Sequence, residues 1–457
     1  MIEKLVYVIQ WFFLFYFIIL QSFYVVLNLI AMVNLHRYSQ THDKTVLHSL
    51  CKDAYLPISV IVTDYNEEQT MVECVESLLK LQYAEFEIII VNDGSCDETL
   101  KKLIKAFQLV PFPEAYRKHL ASMPIKQIFV SRTHAKIKVI DKENGGKADA
   151  LNAGINMARY GLFCAVDADS ILQRDCLVKV VQPFLEDTRT IAAGGSVRIA
   201  NGCRFQNGYL HDAGLPKQIL PLFQVAEYLR AFLFGRLGWS PLNALLIISG
   251  AFGVFRKEAV ITAGGYRADC IGEDMELIVR MHKIFRQQKK TYRIKFVPDP
   301  ICWTYAPSQF KRLISQRIRW HHGLAESLFK NKDLFLSRNG GVVGWVAYPF
   351  MLVFEWFSPV IEILGFTVVI VGLANGMILW DVFVLFFVIA VGFSVLLSLV
   401  AVMLEEMSFH LYPKPIYILK LFIVAIFENT GYRQFVNVWR LYAMIERALG
   451  VKPSWGK

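Results

Sequence analysis

From Leu5 to Val33 the chain runs for 29 residues without a charge. About 20 apolar residues span a bilayer, so this run can cross one with tilt. It is too long for a signal-peptide core and no small-residue cleavage site follows, which marks a retained anchor. Two more apolar runs, Val342–Leu373 and Met377–Leu404, are joined by the uncharged link Ala374-Asn375-Gly376. Lys330, Lys332 and Arg338 precede this pair, and Lys414 and Lys420 follow it. By the positive-inside rule these flanks are cytoplasmic and the link is external. The expected partition is an anchor at 1–36, a cytoplasmic domain at 55–335, a membrane bundle at 340–436 and a basic tail at 437–457. The expected location is a plasma membrane, or the inner membrane of a bacterium, crossed several times.

Two parts of the bundle stay open. Ile416–Phe427 is apolar but interrupted by Lys420 and followed at once by Glu428, Arg433 and Gln434. It either lies in the interface or lines a polar cavity while spanning. The basic residues Arg440, Arg447, Lys452 and Lys457 favour a segment that does not cross. Glu355 and Glu362 are seven residues apart, so one helix would set them on nearly the same face. Charge inside a bilayer is costly, so they are expected to line a wet path, or else to sit near the interface or pair with Arg433 or Lys420.

Between the membrane runs the pattern changes to short β-branched strands separated by helices. Ile58–Thr63, Phe86–Val91, Ile137–Ile140 and Leu162–Val166 read as strands. Helical patterns follow through Val72–Leu79, to about Phe107, and over Lys147–Tyr160. Mostly apolar strands alternating with helices predict an α/β domain with a parallel sheet covered on both faces. Such sheets bind ligands beyond the carboxyl ends of their strands. Those ends present Asp64 and Glu67, then Asp93, then Asp167 and Asp169. Carboxylates gathered on one rim repel each other and any phosphate unless a hard cation joins them, so Mg²⁺ or Mn²⁺ is expected. The net charge of +10 fits an anionic lipid surface or a phosphorylated small molecule, and no nucleic-acid module is present. Eight cysteines without a CxxC pair read as reduced thiols rather than a metal or redox site.

Several motifs carry chemistry, each with a plainer alternative. VDAD (Val166–Asp169) places two carboxylates one residue apart after a strand, as a metal site or an Asp-rich turn. NGGK (Asn144–Lys147) opens a helix whose N–H groups suit an anion, or is a glycine turn with a solvated lysine. IGED (Ile271–Asp274) starts a helix with a general base, or with acidic capping residues. QRIRW (Gln316–Trp320) puts an arginine fork and a flat aromatic within about a turn, or is a basic helix at lipid headgroups. Phe223–Leu233 reads as an interfacial helix, with Arg230 and Arg236 near its end, or as a buried core helix.

Taken in order, DYNEE, VNDGS, NGGKADALN, VDAD, ISGAF, IGED and QRIRW resemble the processive membrane branch of glycosyltransferase family 2, over roughly residues 57–325. That branch includes cellulose, hyaluronan and bacterial poly-N-acetylglucosamine synthases. The resemblance implies a GT-A-like nucleotide-sugar-binding domain embedded between transmembrane helices, and inverting transfer from a nucleoside diphosphate sugar. UDP-N-acetylglucosamine or another UDP-hexose is the implied donor. A growing polysaccharide is the implied acceptor; a single transfer to a lipid-linked or short acceptor is the alternative. Tyr65, Glu67 and Asp93 would hold uracil and ribose, and Lys147 would touch the nucleotide. Asp167 would meet the nucleotide and metal, and Asp169 the metal. Asp274 would be the base. Gln316 and Arg319 would grip the diphosphate, with Trp320, Ser249 and Gly250 around the acceptor. A small membrane accessory subunit is a possible partner by the same likeness. One departure stands out: Gly272 occupies a position where these synthases often carry Thr, so the start of the base helix is expected to be held differently.

Overall fold

In a computed structural model the chain is described over residues 2–41, 56–206, 208–376, 380–412 and 414–451. Cys51, Lys452, Lys457, the first residues of the run beginning at Met377 and the domain boundary at 55 lie outside them.

The strands form where β-branched residues cluster. β1 (Ile58–Asp64), β2 (Phe86–Asn92), β5 (Ile137–Lys142) and β6 (Leu162–Asp167) pair in parallel in the order β5-β2-β1-β6. Alternate side chains go to opposite faces. Ile61, Ile89, Val91 and Ile140 belong to one apolar cluster with the helices Lys147–Met157 and Glu273–Gln287. Val60, Val62, Ile88, Ile90 and Val139 pack against Met71–Leu79, Thr99–Phe107 and Cys176–Glu186. Both faces are therefore covered, which explains the near-continuous apolar strands.

The sheet is larger than expected and mixed, not parallel throughout. β3 (Leu109–Pro111) and β4 (Ile125–Ser131) add antiparallel strands beside β5. Past β6 come β11 (Phe252–Arg256), β8 (Thr190–Ile199), β12 (Arg293–Thr304) and β7 (Ile171–Leu172), giving ten strands. A separate hairpin pairs β9 (Arg204–Gln206) with β10 (Tyr209–Asp212). β11 runs antiparallel to both β6 and β8.

Among the described residues two helices are long and apolar enough to cross a membrane, Val8–Gln40 and Trp380–Phe409. The run from Val342 to Leu373 is not one straight span. Its halves, Val343–Trp356 and Ser358–Ala374, meet at 49°. Pro359 has no N–H to return to the carbonyl of Glu355, four residues back, and this breaks the ladder. The freed carbonyl instead accepts Ser358 Oγ at 3.3 Å and a guanidinium N–H of Arg440. The helix Ile219–Glu227 continues through a π-helical turn to Trp239. Its arginines do not reach outward: Arg236 is buried and Arg230 bonds Glu428 at 3.0 Å. Of the described cysteines all are free and most are buried; Cys96 is exposed.

Candidate active site

Asp167 ends β6, and the turn after it closes through Ser170 N–H to the Asp167 carbonyl at 3.0 Å. Asp167 and Asp169 thus stand at the rim where the parallel strands end. Gly146 has φ +84, open to glycine without strain, and it starts the helix that aims Lys147 at this rim. Lys147 Nζ lies 2.5 Å from Asp167 Oδ1 and 3.5 Å from Glu273 Oε1. Burial lowers the affinity of this ammonium for its proton, but Asp167 and Glu273 outweigh it and hold the pKa above the ordinary lysine range.

Asp274 sits in the first turn of Glu273–Gln287. Its Oδ1 accepts Met275 N–H at 2.8 Å and its Oδ2 accepts Gly250 N–H at 3.0 Å. The ISGAF turn is thereby pinned to the helix Glu273–Gln287. A Cβ at Gly250 would lie 3.0 Å from Lys147 Nζ, so a side chain there would press on the lysine. Burial, opposed by Lys147 and reinforced by Asp274, raises the pKa of Glu273 above the usual carboxylate range.

The helix Phe310–Lys330 brings Gln316, Arg319 and Trp320 to the same place. Arg317 turns inward, reaches Glu227 at 2.6 Å and lies 4.4 Å from the Trp320 ring centre. The start of Glu273–Gln287 meets this helix backbone to backbone at Gly272 and Gly323. Ser327 Oγ donates to the Gly272 carbonyl at 3.3 Å, and Glu326 accepts Ile271 N–H at 2.7 Å. The missing Thr hydroxyl is thus replaced by contacts from the neighbouring helix.

Lys147, Asp167, Asp169, Ser249, Gly250, Asp274, Gln316, Arg319 and Trp320 line one cavity of about 610 Å³. It continues past Trp320 to Tyr24, Arg230, Glu355, Arg433 and Arg440. Glu355 lines it; Glu362 does not, being buried 2.8 Å from Arg433. The bend between them breaks the single face expected of an unbroken helix. Three expected residues lie away from the cavity wall. Tyr65 is half exposed, and Glu67 accepts the Thr70 hydroxyl at 2.7 Å. Asp93 is buried on Lys142 and accepts the Gly145 and Gly146 N–H groups at 3.0 and 2.7 Å, so it shapes the glycine turn. Asp64 is buried too, with Ser95 Oγ donating at 3.1 Å, and burial pushes its carboxyl up to about 7.

Glu273, Lys142 and Arg317 were not foreseen. Glu273 was visible only as a helix-start acid. Lys142 escaped notice because β5 runs two residues past its apolar stretch; there it bridges Asp93 and Asp149, the latter at 2.8 Å.

The donor set suits a hard cation. Mg²⁺ often takes only one or two carboxylates and completes its shell with phosphates and water, as Asp167 and Asp169 would allow. Protein packed around Asp169, which keeps an open edge, and the charge of Asp167 push it up to about 6. A cation would relieve that repulsion. Among the described residues no three His, Cys, Asp or Glu side chains form an all-protein metal cage.

A mixed α/β sheet with this acidic rim defines a GT-A-like glycosyltransferase domain. The chain belongs to glycosyl transferase family group 2, whose profile matches residues 162–399, just over half of it. The glycosyl transferase family 2 profile matches residues 59–262. Poly-beta-1,6-N-acetyl-D-glucosamine synthase of Staphylococcus aureus (strain COL) is 32% identical over 276 residues, 60% of this chain and 56% of that one. The Staphylococcus epidermidis protein of the same name is 30% identical over 275 residues. The match therefore spans little more than half the length of these relatives. A mannosyltransferase from Pyrobaculum calidifontis, solved with GDP-Man and Mn²⁺, shares the fold at a TM-score of 0.53 and 15% identity, over 95% of this chain and all of that one.

Proposed function

We propose that this chain is an inverting, metal-dependent glycosyltransferase that extends a polysaccharide from a nucleoside diphosphate sugar and passes the product into the membrane region. The observation that supports this is the shared cavity, whose lining includes Asp274, Asp167, Asp169 and Trp320. Asp274 is the general base. It takes the proton of an acceptor hydroxyl as that oxygen attacks the anomeric carbon from the face opposite the leaving group. The bond from that carbon to the diphosphate breaks, and the electron pair leaves with the nucleotide. Arg319 and Gln316 hold the departing diphosphate, and Lys147 adds positive charge beside Asp167. Bound at Asp167 and Asp169, Mg²⁺ or Mn²⁺ supplies charge neutralisation to that leaving group. Trp320 stacks on the acceptor sugar, bordered by Ser249 and Gly250. Tyr65, Glu67 and Asp93 serve the base and ribose, Asp93 by fixing the glycine turn.

The name of the staphylococcal relatives supports UDP-N-acetylglucosamine as the first donor to test. An anchor at 1–36, a catalytic domain at 55–335 and a membrane bundle from 340 onward go with a multi-pass protein whose active site faces the cytoplasm. The test is to supply purified membranes with a panel of nucleotide sugars and follow nucleoside diphosphate release and product mass. A long polymer from one donor is expected. Products one sugar longer than the acceptor would favour single transfer, and no release with any donor would refute glycosyl transfer.

A further inference from the structure

The last long helical stretch is built inside out. It runs from Pro415 to Phe427, through a π-helical turn at Glu428–Tyr432, and on from Arg433 to Ala448. Most of its charged and amide side chains point into the protein. Glu428 meets Arg230 at 3.0 Å, Asn429 bonds Ser398 Oγ at 2.9 Å, and Arg433 and Asn437 both bond Glu362 at 2.8 Å. Arg440 is held at the Glu355 carbonyl. The outward side is apolar. Val438, Tyr442, Ile445 and Leu449 are exposed at spacings of four, three and four, which is one stripe of a helix. Ile416, Leu419, Ile423 and Ile426 are exposed on the earlier half.

A helix in water buries its apolar stripe and exposes its charges. The reverse arrangement is stable where the surroundings are hydrocarbon and the polar groups find partners within the protein. Thr430 obeys the same rule: it is exposed, yet its hydroxyl donates to its own helix at the Ile426 carbonyl, 2.9 Å away. The outward side is also continuous with the candidate spans. Trp380–Phe409 turns Ser394, Ser398 and Glu405 inward and Leu396, Met403 and Met407 outward. Ser398 and Ser394 are the residues that meet Asn429 and Arg433, the latter at 3.5 Å. Val8–Gln40 shows the same pattern, with Gln21 buried and Phe12, Phe15 and Ile19 exposed.

We infer that residues 416–449 present a lipid-binding surface: the stripe through Val438, Tyr442, Ile445 and Leu449 contacts acyl chains while the opposite side faces the cavity. Average hydropathy hides this surface, because Lys420, Glu428, Arg433 and Arg440 dilute the count. Lys420 is exposed and its long stem lets the ammonium reach the headgroups. The inference stands apart from glycosyl transfer and depends only on a membrane being present.

The full chain, purified alone and reconstituted in phosphatidylethanolamine–phosphatidylglycerol vesicles, is irradiated with a phospholipid carrying a diazirine at its acyl end. A parallel sample receives a water-soluble diazirine. Peptides are then mapped by mass spectrometry. Acyl adducts on Val438–Leu449 are expected at yields within about threefold of those on Phe12–Ile19, with little aqueous labelling of the stripe. Aqueous labelling of the stripe without acyl adducts would overturn the inference. So would protection from both reagents, since a second copy of the chain would then cover it. Nucleoside diphosphate release measured in the same vesicles reads the catalytic assignment separately.

Discussion

The contact between Gly272 and Gly323 sets the distance between Asp274 and the helix that carries Gln316, Arg319 and Trp320. Gly272 precedes Asp274 by two positions, and Gly323 follows Trp320 by three. A Cβ on residue 323 would lie 2.9 Å from Gly272 Cα and 3.0 Å from its nitrogen, where ordinary contact is 3.4–4 Å. Both opposing atoms are backbone, so no rotamer change relieves the clash and the helices must separate by about 0.5–1 Å. Overpacking of this kind costs about 1–3 kcal/mol of stability. A misplacement of about 1 Å at reacting groups costs up to ~10²-fold in rate. Gly323→Ala is therefore expected to lower kcat by roughly 10–10²-fold, with a smaller rise in donor KM, because Gln316 and Arg319 move with this helix while the Lys147–Asp167 rim lies on other elements. Gly272→Thr, which installs the residue common among the related synthases, should be at least as harmful, since its Cβ would meet Gly323 Cα, C and O at 2.8–2.9 Å. Nucleoside diphosphate release measures kcat, and calorimetric titration with UDP measures the donor site. A folded Gly323→Ala enzyme with unchanged kcat would refute the spacing role; equal loss of UDP affinity would show a general collapse instead.

Asp274→Asn should keep UDP affinity and lose turnover by the ~10²–10⁴-fold typical of a missing general base, so preserved turnover at saturation would remove it from that role. Asp169→Asn should abolish both activity and the stabilisation of the protein by Mn²⁺ with UDP in a thermal-shift assay, and full activity in excess chelator would exclude the metal. Asp64 is held near 7 rather than its ordinary 3.8, so the folded state prefers it protonated; its stabilisation is complete below pH 4 and is lost as pH rises through 7. Asp64→Asn should raise the melting temperature at pH 8, by at most ~4 kcal/mol of stability, and leave it unchanged near pH 4; an equal effect at both pH values would refute the cause. Glu362→Leu strands Arg433 and should destabilise by ~3–5 kcal/mol in chemical denaturation, more than Glu355→Leu, whose partner Arg440 keeps the Glu355 carbonyl.

The central strands were legible because each is a short apolar run closed by a polar break, and the motifs at their ends fell where a parallel sheet collects ligands. The outer strands were not. β8 reads Thr-Ile-Ala-Ala-Gly-Gly-Ser-Val-Arg-Ile, with small residues where β-branched ones would signal a strand. Gly195 is small because Ile301 fills its place: a Cβ there would lie 2.2 Å from Ile301 Cδ1. β12 contains Pro298 and Pro300, which break the periodic pattern and coincide with register shifts against β8. Site residues on the rim followed from strand ends. Lys142 and Arg317 did not, because their roles depend on partners 49 and 90 residues away in sequence.

The polar residues of the bundle show why charge in an apolar run has to be read by partner and not by face alone. A helix wheel places Glu355 and Glu362 together, but the wheel assumes an unbroken ladder, and Pro359 breaks it. After the bend the two carboxylates do different work. Glu355 accepts the Tyr24 hydroxyl at 2.9 Å and keeps an edge on the cavity, so it can meet a hydroxyl-rich chain. Glu362 is consumed by Arg433 and Asn437 and fixes how the helices pack. The same division recurs along the cavity. Arg317 with Glu227, Arg230 with Glu428, and Arg440 with Glu355 each join two separate helical segments. An ion pair across helices resists separation only while both members stay, because removing one leaves a buried charge. A cavity walled by such pairs offers polar groups inside an apolar shell without a net charge from the pairs themselves, the lining that the proposed hydroxyl-rich saccharide would need.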